Sequence, residues 1–372
     1  MDILNLEKVL ENEPAYRLKQ AKEAVLKNFI SNWDEATFLP LELRKKLNKE
    51  CPLEIKADVL VSSDKSSVKA GITLKDGLMV ETALMKHNDG RNTVCVSSQV
   101  GCALGCVFCA TGKMGFKRNL SVEEILEQVI FFERYLKAAP MHQCTGAQVR
   151  AGDACRVTNV TFMGMGEPFL NYENVLKSIR ILNDKNYFNI GARSISVSTA
   201  GIIEGIEKLI EEGLSRKAGS SAARQLNLAI SLHAPNQELR NSLMPISKKY
   251  PLQKVFGAVD KYIKATKRKV MFEYLLIDNV NDSNKCAEEL AKLMRKKLYF
   301  LNLILYNPIP QKIAGQAGKF SAKGGPASGW KPSPSGRVES FKKILKREGV
   351  NFVQRYRFGR DIKAACGQLI HR

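Results

Sequence analysis

No run of eighteen apolar residues occurs in the 372-residue sequence, so no membrane-spanning helix is indicated. The opening Met1-Asp2-Ile3-Leu4-Asn5 lacks the basic-then-apolar layout of a secretory leader, so export is not expected and a cytoplasmic location is. Acids are scarce beside bases: 37 Asp and Glu against 58 Lys and Arg, a formal net charge of +21. A deficit of that size favours a polyanionic partner and fast steered association. The C-x2-C spacing occurs once only, at Cys106-Val107-Phe108-Cys109, so the paired knuckles of a zinc ribbon are missing. In a reducing compartment the nine cysteines read as metal ligands or reactive thiols before they read as staples. Cys51 and Cys286, each alone in its segment, read as small buried hydrophobes.

What is present is a sizeable apolar fraction, 44% of residues, in a length that suits two or three domains or one large barrel with an appendage. The positive charge is uneven. Residues 311–372 hold 14 Lys and Arg against 3 acids. There the basic residues interleave with aromatics in Phe352-Val353-Gln354-Arg355-Tyr356-Arg357-Phe358-Gly359-Arg360. Guanidinium and aromatic faces both stack on bases, which points to RNA or DNA.

Four segments follow one another. Residues 1–52 read as a helical accessory domain that binds RNA, with a cap at Asn32 and an amphipathic run ending in Leu43-Arg44-Lys45-Lys46. Residues 53–94 alternate apolar and polar positions between turns at Asp64-Lys65 and Lys75-Asp76-Gly77, a small antiparallel meander. Residues 95–336 repeat strand then helix. Strands are expected at Thr93–Val96, Val157–Met163, Ser194–Ser198, Leu226–Leu232, Val270–Ile277 and Phe300–Tyr306. Helices are expected at Ser121–Lys137, Asn171–Asn183, Ile202–Gly213 and Asp282–Lys297. Six such units imply an α/β fold with a parallel sheet, open or partly closed into a (βα)6 TIM-like barrel, whose working residues collect at the strand C-termini. Residues 337–372 form a helix, a strand and a cysteine-bearing tail. Ala138–Arg156, Ser215–Gln225 and Ala314–Gly336 read as inserted, mobile loops without a role, Cys144 and Cys155 among them.

Cys95, Cys102, Cys106 and Cys109 fall within fifteen residues, and Cys366 waits near the end of the chain. The three of C-x3-C-x2-C are one ligand short of the four-cysteine iron–sulfur or structural zinc site. An open metal position suits a cofactor that must bind the metal; a zinc with Cys95 as distant fourth ligand is the alternative. Gly166-Glu167-Pro168, Ser198-Thr199-Ala200-Gly201, Ser231-Leu232-His233-Ala234-Pro235 and Asn307-Pro308 end successive strands and describe one ligand-binding rim. The glycines there would let backbone approach a ligand, and Glu167 would accept a bond from an ammonium group.

C-x3-C-x2-C with Phe108 before the last cysteine resembles the signature of the radical S-adenosylmethionine (radical SAM) superfamily. With the strand-end motifs and Gly359-Arg360-Asp361-Ile362-Lys363-Ala364-Ala365-Cys366-Gly367-Gln368, the chain resembles the bacterial dual-specificity RNA methyltransferases of adenine C2. The resemblance covers nearly all of it apart from the three loops. It implies a [4Fe–4S] cluster on Cys102, Cys106 and Cys109, and two S-adenosylmethionine molecules per turnover. Gly166, Glu167, Ser198, Ser231, Leu232, His233 and Asn307 would contact S-adenosylmethionine. Cys366 would carry the methyl group as hydrogen is removed from it and carbon joins adenine; Cys95 would resolve the adduct, and Glu81 would be the base. The Glu81-to-Cys95 spacing is one residue longer than the family's. Implied substrates are 23S rRNA at the peptidyl transferase centre and tRNA at the adenosine 3′ of the anticodon. A flavodoxin-like electron donor, a monomeric state and no membrane partner are expected. Three readings compete with this one: the C8-adenine methyltransferases of the antibiotic-resistance sister family, a radical enzyme acting on a small molecule or a protein glycine, and a non-catalytic RNA-binding metalloprotein.

Overall fold

The computed structural model describes residues 4–138, 155–214, 223, 225–309 and 329–369. The helical start comprises α1 (Leu4–Val9), α2 (Ala15–Leu26) and α3 (Leu41–Glu50). Between α2 and α3 a capping box at Asn32 and Glu35 opens the short turn that buries Trp33, whose indole N–H donates to the Cys51 carbonyl at 2.7 Å. Cys51 is fully buried and Cys286 half-buried.

The strands are β1 (Ala57–Val61), β2 (Ser67–Thr73), β3 (Met79–Lys86), β4 (Asn92–Cys95), β5 (Gln99–Gly101), β6 (Phe116–Asn119), β7 (Asn159–Phe162), β8 (Ile195–Thr199), β9 (Asn227–Ser231), β10 (Val270–Leu276), β11 (Tyr299–Leu305) and β12 (Phe352–Gln354). After α3 the helices are α4 (Ala110–Lys113), α5 (Val122–Ala138), α6 (Tyr172–Asn183), α7 (Ile203–Leu214), α8 (Gln237–Leu243), α9 (Leu252–Thr266), α10 (Asn284–Leu293) and α11 (Ser335–Arg347). One ten-stranded sheet runs β1-β2-β3-β4-β7-β8-β9-β10-β11-β12. Its first four strands pair antiparallel and the rest parallel, and the linear order leaves an open, partial barrel.

Each expected parallel strand is present, because strands covered on both faces are near-continuous apolar runs. The meander continues the same sheet through β3 and β4. Their ladder runs unbroken from Ala83↔Cys95 to Lys86↔Asn92 and closes through the turn at 87–91. The helical start is tied to α5 by Arg134, whose guanidinium donates to the carbonyls of Phe29, Ile30 and Leu53.

Two features differ from expectation. The β5–β6 hairpin brackets the cysteine segment, and its three- and four-residue strands are too short to leave a periodic signal. Residues 329–336, expected to be loose, are held: Trp330 packs edge-on to Tyr306, and the Lys331 carbonyl accepts Asp278 N at 3.0 Å. The rest of the three expected loops lies almost wholly outside the described residues. Cys155 is disulfide-bonded.

Candidate active site

The cysteine segment hangs between the hairpin and α8. Cys102 N donates to the Gly115 carbonyl at 3.0 Å, and Val107 N to the Leu243 carbonyl at 3.1 Å. Cys102, Cys106 and Cys109 line one cavity of about 130 Å³ at the C-terminal ends of the parallel strands. Burial pushes the Cys102 thiol up to about 12 and Cys106 well above its usual value, and the neighbouring thiols add to both shifts. A cationic group in the cavity would reverse that cost.

Among the described residues no three His, Cys, Asp or Glu side chains converge on a point where one metal ion would sit. Three thiols spread around one space suit a four-iron cluster, which places each thiolate on a different iron, better than a single tetrahedral zinc. The residues therefore fit the cluster.

The rim is assembled from the strand ends. Glu167 is buried; its Oε2 accepts Ala200 N at 2.7 Å and its Oε1 accepts Phe169 N at 3.1 Å, while burial raises its pKa to about 7. Ser198 and Ser231, on adjacent strands, bring their hydroxyls to 3.4 Å. His233 lies edge-on to Phe108, with ring centroids 4.8 Å apart, and its Nδ1 accepts Leu275 N at 3.2 Å. Burial lowers the His233 pKa to about 3, so the ring is neutral with its proton on Nε2. Gly166, Glu167, Ser198, Ser231 and His233 line the cavity with the three cysteines.

Gly166 also makes a close contact within the protein. Its φ is +96°, and a Cβ there would lie 2.5 Å from Gln99 Cβ, so the glycine admits β5 on that side. That approach lets Gln99 Oε1 accept Glu167 N at 2.9 Å.

The C-terminal tail docks directly on the cysteine segment. Gly367 O accepts Ala110 N at 2.8 Å, and Leu369 O accepts the Thr111 hydroxyl at 2.6 Å. Gly367 has φ +80°, and its Cα faces the Phe108 carbonyl so closely that a Cβ would stand 3.4 Å from it. Cys366 is exposed as a residue yet lines the cavity, where low-dielectric surroundings push its thiol up to about 11 and Arg355 pulls it down. Cys95 ends β4; burial and the Cys366 sulfur push its thiol up to about 12, and Arg355 again opposes.

Three expected site residues stand back from the cavity lining. Leu232 is buried in the core, with its N–H on the Glu273 carbonyl at 3.0 Å. Asn307 turns its amide to the Cys366 carbonyl at 3.3 Å. Glu81, on β3, forms a buried ion pair with Lys69 at 2.9 Å, two residues along the strand from Ala83, the cross-strand partner of Cys95.

Glu273 and Arg355 were not anticipated as site residues. Both line the cavity. Arg355 Nη1 lies 3.4 Å from Glu273 Oε2, and Asn302 donates to Glu273 Oε1 at 2.8 Å. A lone carboxylate inside the apolar run Val270–Leu276 was the available signal for Glu273.

No protein-family profile matches the chain. It is 41% identical over 357 residues to the probable dual-specificity RNA methyltransferase RlmN of Dictyoglomus thermophilum, covering 96% of this chain and 91% of that one. Against the protein of the same name from Chloroflexus aurantiacus it is 40% identical over 368 residues, 97% of this chain and 88% of the other. The structure superposes on the crystal structure of a radical SAM methyltransferase from Sphaerobacter thermophilus with a TM-score of 0.82 and 38% identity, covering 99% of this chain and 97% of that one.

Proposed function

Because the chain belongs to the RlmN family of dual-specificity RNA methyltransferases, we propose that it methylates C2 of adenine in 23S rRNA and in tRNA by way of a methylated Cys366. The observation that carries this reading is the seating of the tail: Gly367 and Leu369 bond to Ala110 and Thr111, which bring Cys366 into the cavity lined by Cys102, Cys106 and Cys109.

A [4Fe–4S] cluster held by those three cysteines, with S-adenosylmethionine on its open iron, would supply one-electron chemistry strong enough to take hydrogen from a methyl group. The chain's own groups then divide the remaining work. Ser198, Ser231, neutral His233 and the Gly166–Glu167 turn would bind the amino acid and ribose parts of S-adenosylmethionine. Glu167 already accepts two backbone N–H groups, which orient its carboxyl and leave acceptor capacity for an ammonium. The Cys366 sulfur takes a methyl group by polar displacement, losing its own proton as the S–C bond forms, and holds that carbon facing the cavity. Hydrogen removal from that methyl allows its carbon to join C2, a position too electron-poor to attack a sulfonium directly.

Cys95, at the end of β4, would carry out release. Once the adduct has lost its C2 proton and returned its unpaired electron to the one-electron centre that the three cysteines would hold, the Cys95 thiolate attacks the Cys366 sulfur; an S–S bond forms, the S–C bond breaks, and the electron pair stays with the product carbon, which takes a proton. Glu81 accepts the C2 proton, directly or by relay, with Lys69 fixing its carboxylate. The adenine must leave its stack to reach Cys366, and the basic segment 355–360 beside the cavity mouth would hold the phosphates around it.

The test is mass spectrometry of nucleosides from 23S rRNA and tRNA incubated with reconstituted enzyme, a low-potential electron donor and S-adenosylmethionine. It should yield 2-methyladenosine. 8-Methyladenosine would assign the chain to the C8 chemistry, and unmodified adenosine would refute the reading.

A further inference from the structure

Arg240, on α8, has an environment that nothing above explains. It is fully buried, at 0% exposure, and no acidic side chain pairs with it among the described residues. Its Nη2 donates to the carbonyls of Ala200 at 2.6 Å and Ser231 at 3.2 Å, and its Nη1 to Tyr250 O at 3.3 Å. Its Nε has no hydrogen-bond partner among the described residues. Neutral carbonyls orient the guanidinium fork, but they leave a full charge uncompensated in the interior, which costs several kcal/mol in an ordinary core. Ala200 and Ser231, whose carbonyls Arg240 holds, both line the cavity together with Cys106. The same helix suspends the cysteine segment: Leu243 O holds Val107 N, and Arg240 lies one turn earlier, with its own carbonyl accepting Met244 N at 2.8 Å.

We propose that Arg240 is the built-in counter-charge of the iron–sulfur site, a positioning residue that lies behind the cavity wall and eases one-electron reduction of the cluster. The inference rests on the cluster reading above. Three thiolates make the loaded site electron-rich, and reduction adds one more negative charge. A fixed cation nearby in low dielectric stabilises the reduced form more than the oxidised one. The missing partner of the buried guanidinium is then the loaded cysteine site itself.

Wild type, R240K and R240Q are reconstituted anaerobically, and each cluster is titrated with dithionite while its reduced signal is followed by electron paramagnetic resonance. R240Q should shift the reduced-to-oxidised ratio at fixed potential at least tenfold toward oxidised, a midpoint 59 mV more negative for a one-electron couple. R240K, which keeps the charge, should lie nearer wild type. Equal midpoints for wild type and R240Q overturn the proposal. Urea unfolding of the metal-free proteins supplies the second measurement. Metal-free R240Q should be at least as stable as metal-free wild type, because removing an unpaired buried charge relieves strain on the empty site. A metal-free R240Q that fails to fold would assign the guanidinium to the fold and overturn the proposal as well. Wild type that takes up no cluster would instead sink the cluster reading itself, which separates the two failures.

Discussion

Asn307 donates its side-chain amide to the carbonyl of Cys366 at 3.3 Å, and its own Oδ1 accepts the Arg357 Nε at 3.2 Å. A residue at the end of β11 thus holds the tail from beneath at the point where the reactive sulfur projects. Asn307→Ala removes one bond worth about 0.5–1.5 kcal/mol and leaves the Arg357 group to find water. The tail should sit less precisely, with methylation falling roughly three- to tenfold. S-adenosylmethionine affinity by equilibrium dialysis should change little, while Cys366 alkylation by iodoacetamide should quicken. Lost affinity with unchanged alkylation would return Asn307 to the cofactor contact that its strand-end position suggests.

Cys95 and Cys366 share one electrostatic neighbourhood, yet the proposed roles of their sulfurs differ. Cys366→Ala removes the carrier, so no methyl should reach adenine. Cys95→Ala leaves the carrier and removes the release step, so RNA should remain bonded to protein. Denaturing electrophoresis of a single-turnover reaction, followed by nuclease digestion and mass measurement of the Cys366 peptide, reads both. Free multiple turnover by the Cys95 variant would remove that residue from the mechanism.

The parallel strands, the cysteine spacing and the rim were legible because each leaves a local mark. A strand buried on both faces is an apolar run such as Val270–Leu276, and thiols that share a cluster lie a few residues apart. What stayed hidden is made by distant partners. Nothing near Arg355 in sequence announces Glu273, and nothing near Arg240 announces the carbonyls of Ala200 and Ser231, since both contacts arise only when strand ends and helices are brought together. At Gly166 the sequence shows that backbone freedom is wanted, but not that Gln99 is the atom group that comes close.

That last point has a measurable consequence. Gly166→Ala would force a Cβ to within 2.5 Å of Gln99 Cβ at a φ of +96°. Strain of about 1–3 kcal/mol should push the 164–168 turn away from β5 and break the bond between Gln99 and Glu167 N. Calorimetry with S-adenosylmethionine on the cluster-loaded protein should show binding weakened along with stability. If the glycine faced only the ligand, affinity would fall while the urea midpoint of the metal-free protein stayed fixed.

Glu133 gives a prediction that is independent of the reaction. It lies on α5, buried, with Oε1 lacking any hydrogen-bond partner. Burial raises its pKa from 4.5 to about 7, although Arg156 and the Val157 N–H both favour the charged form. Between those two values the folded chain holds a proton that the unfolded chain has released. Stability therefore falls as pH rises from about 4.5 through about 7 and stays low above it. At 1.36 kcal/mol per unit the full loss is roughly 3 kcal/mol. Glu133→Gln keeps the shape without a charge to bury, so it should escape that loss. Urea unfolding of wild type and variant at pH 5 and at pH 8.5 should show the variant gaining roughly 3 kcal/mol on wild type between the two conditions. An equal difference at both pH values would mean that Glu133 is already charged in the folded protein, stabilised by Arg156 more than burial penalises it.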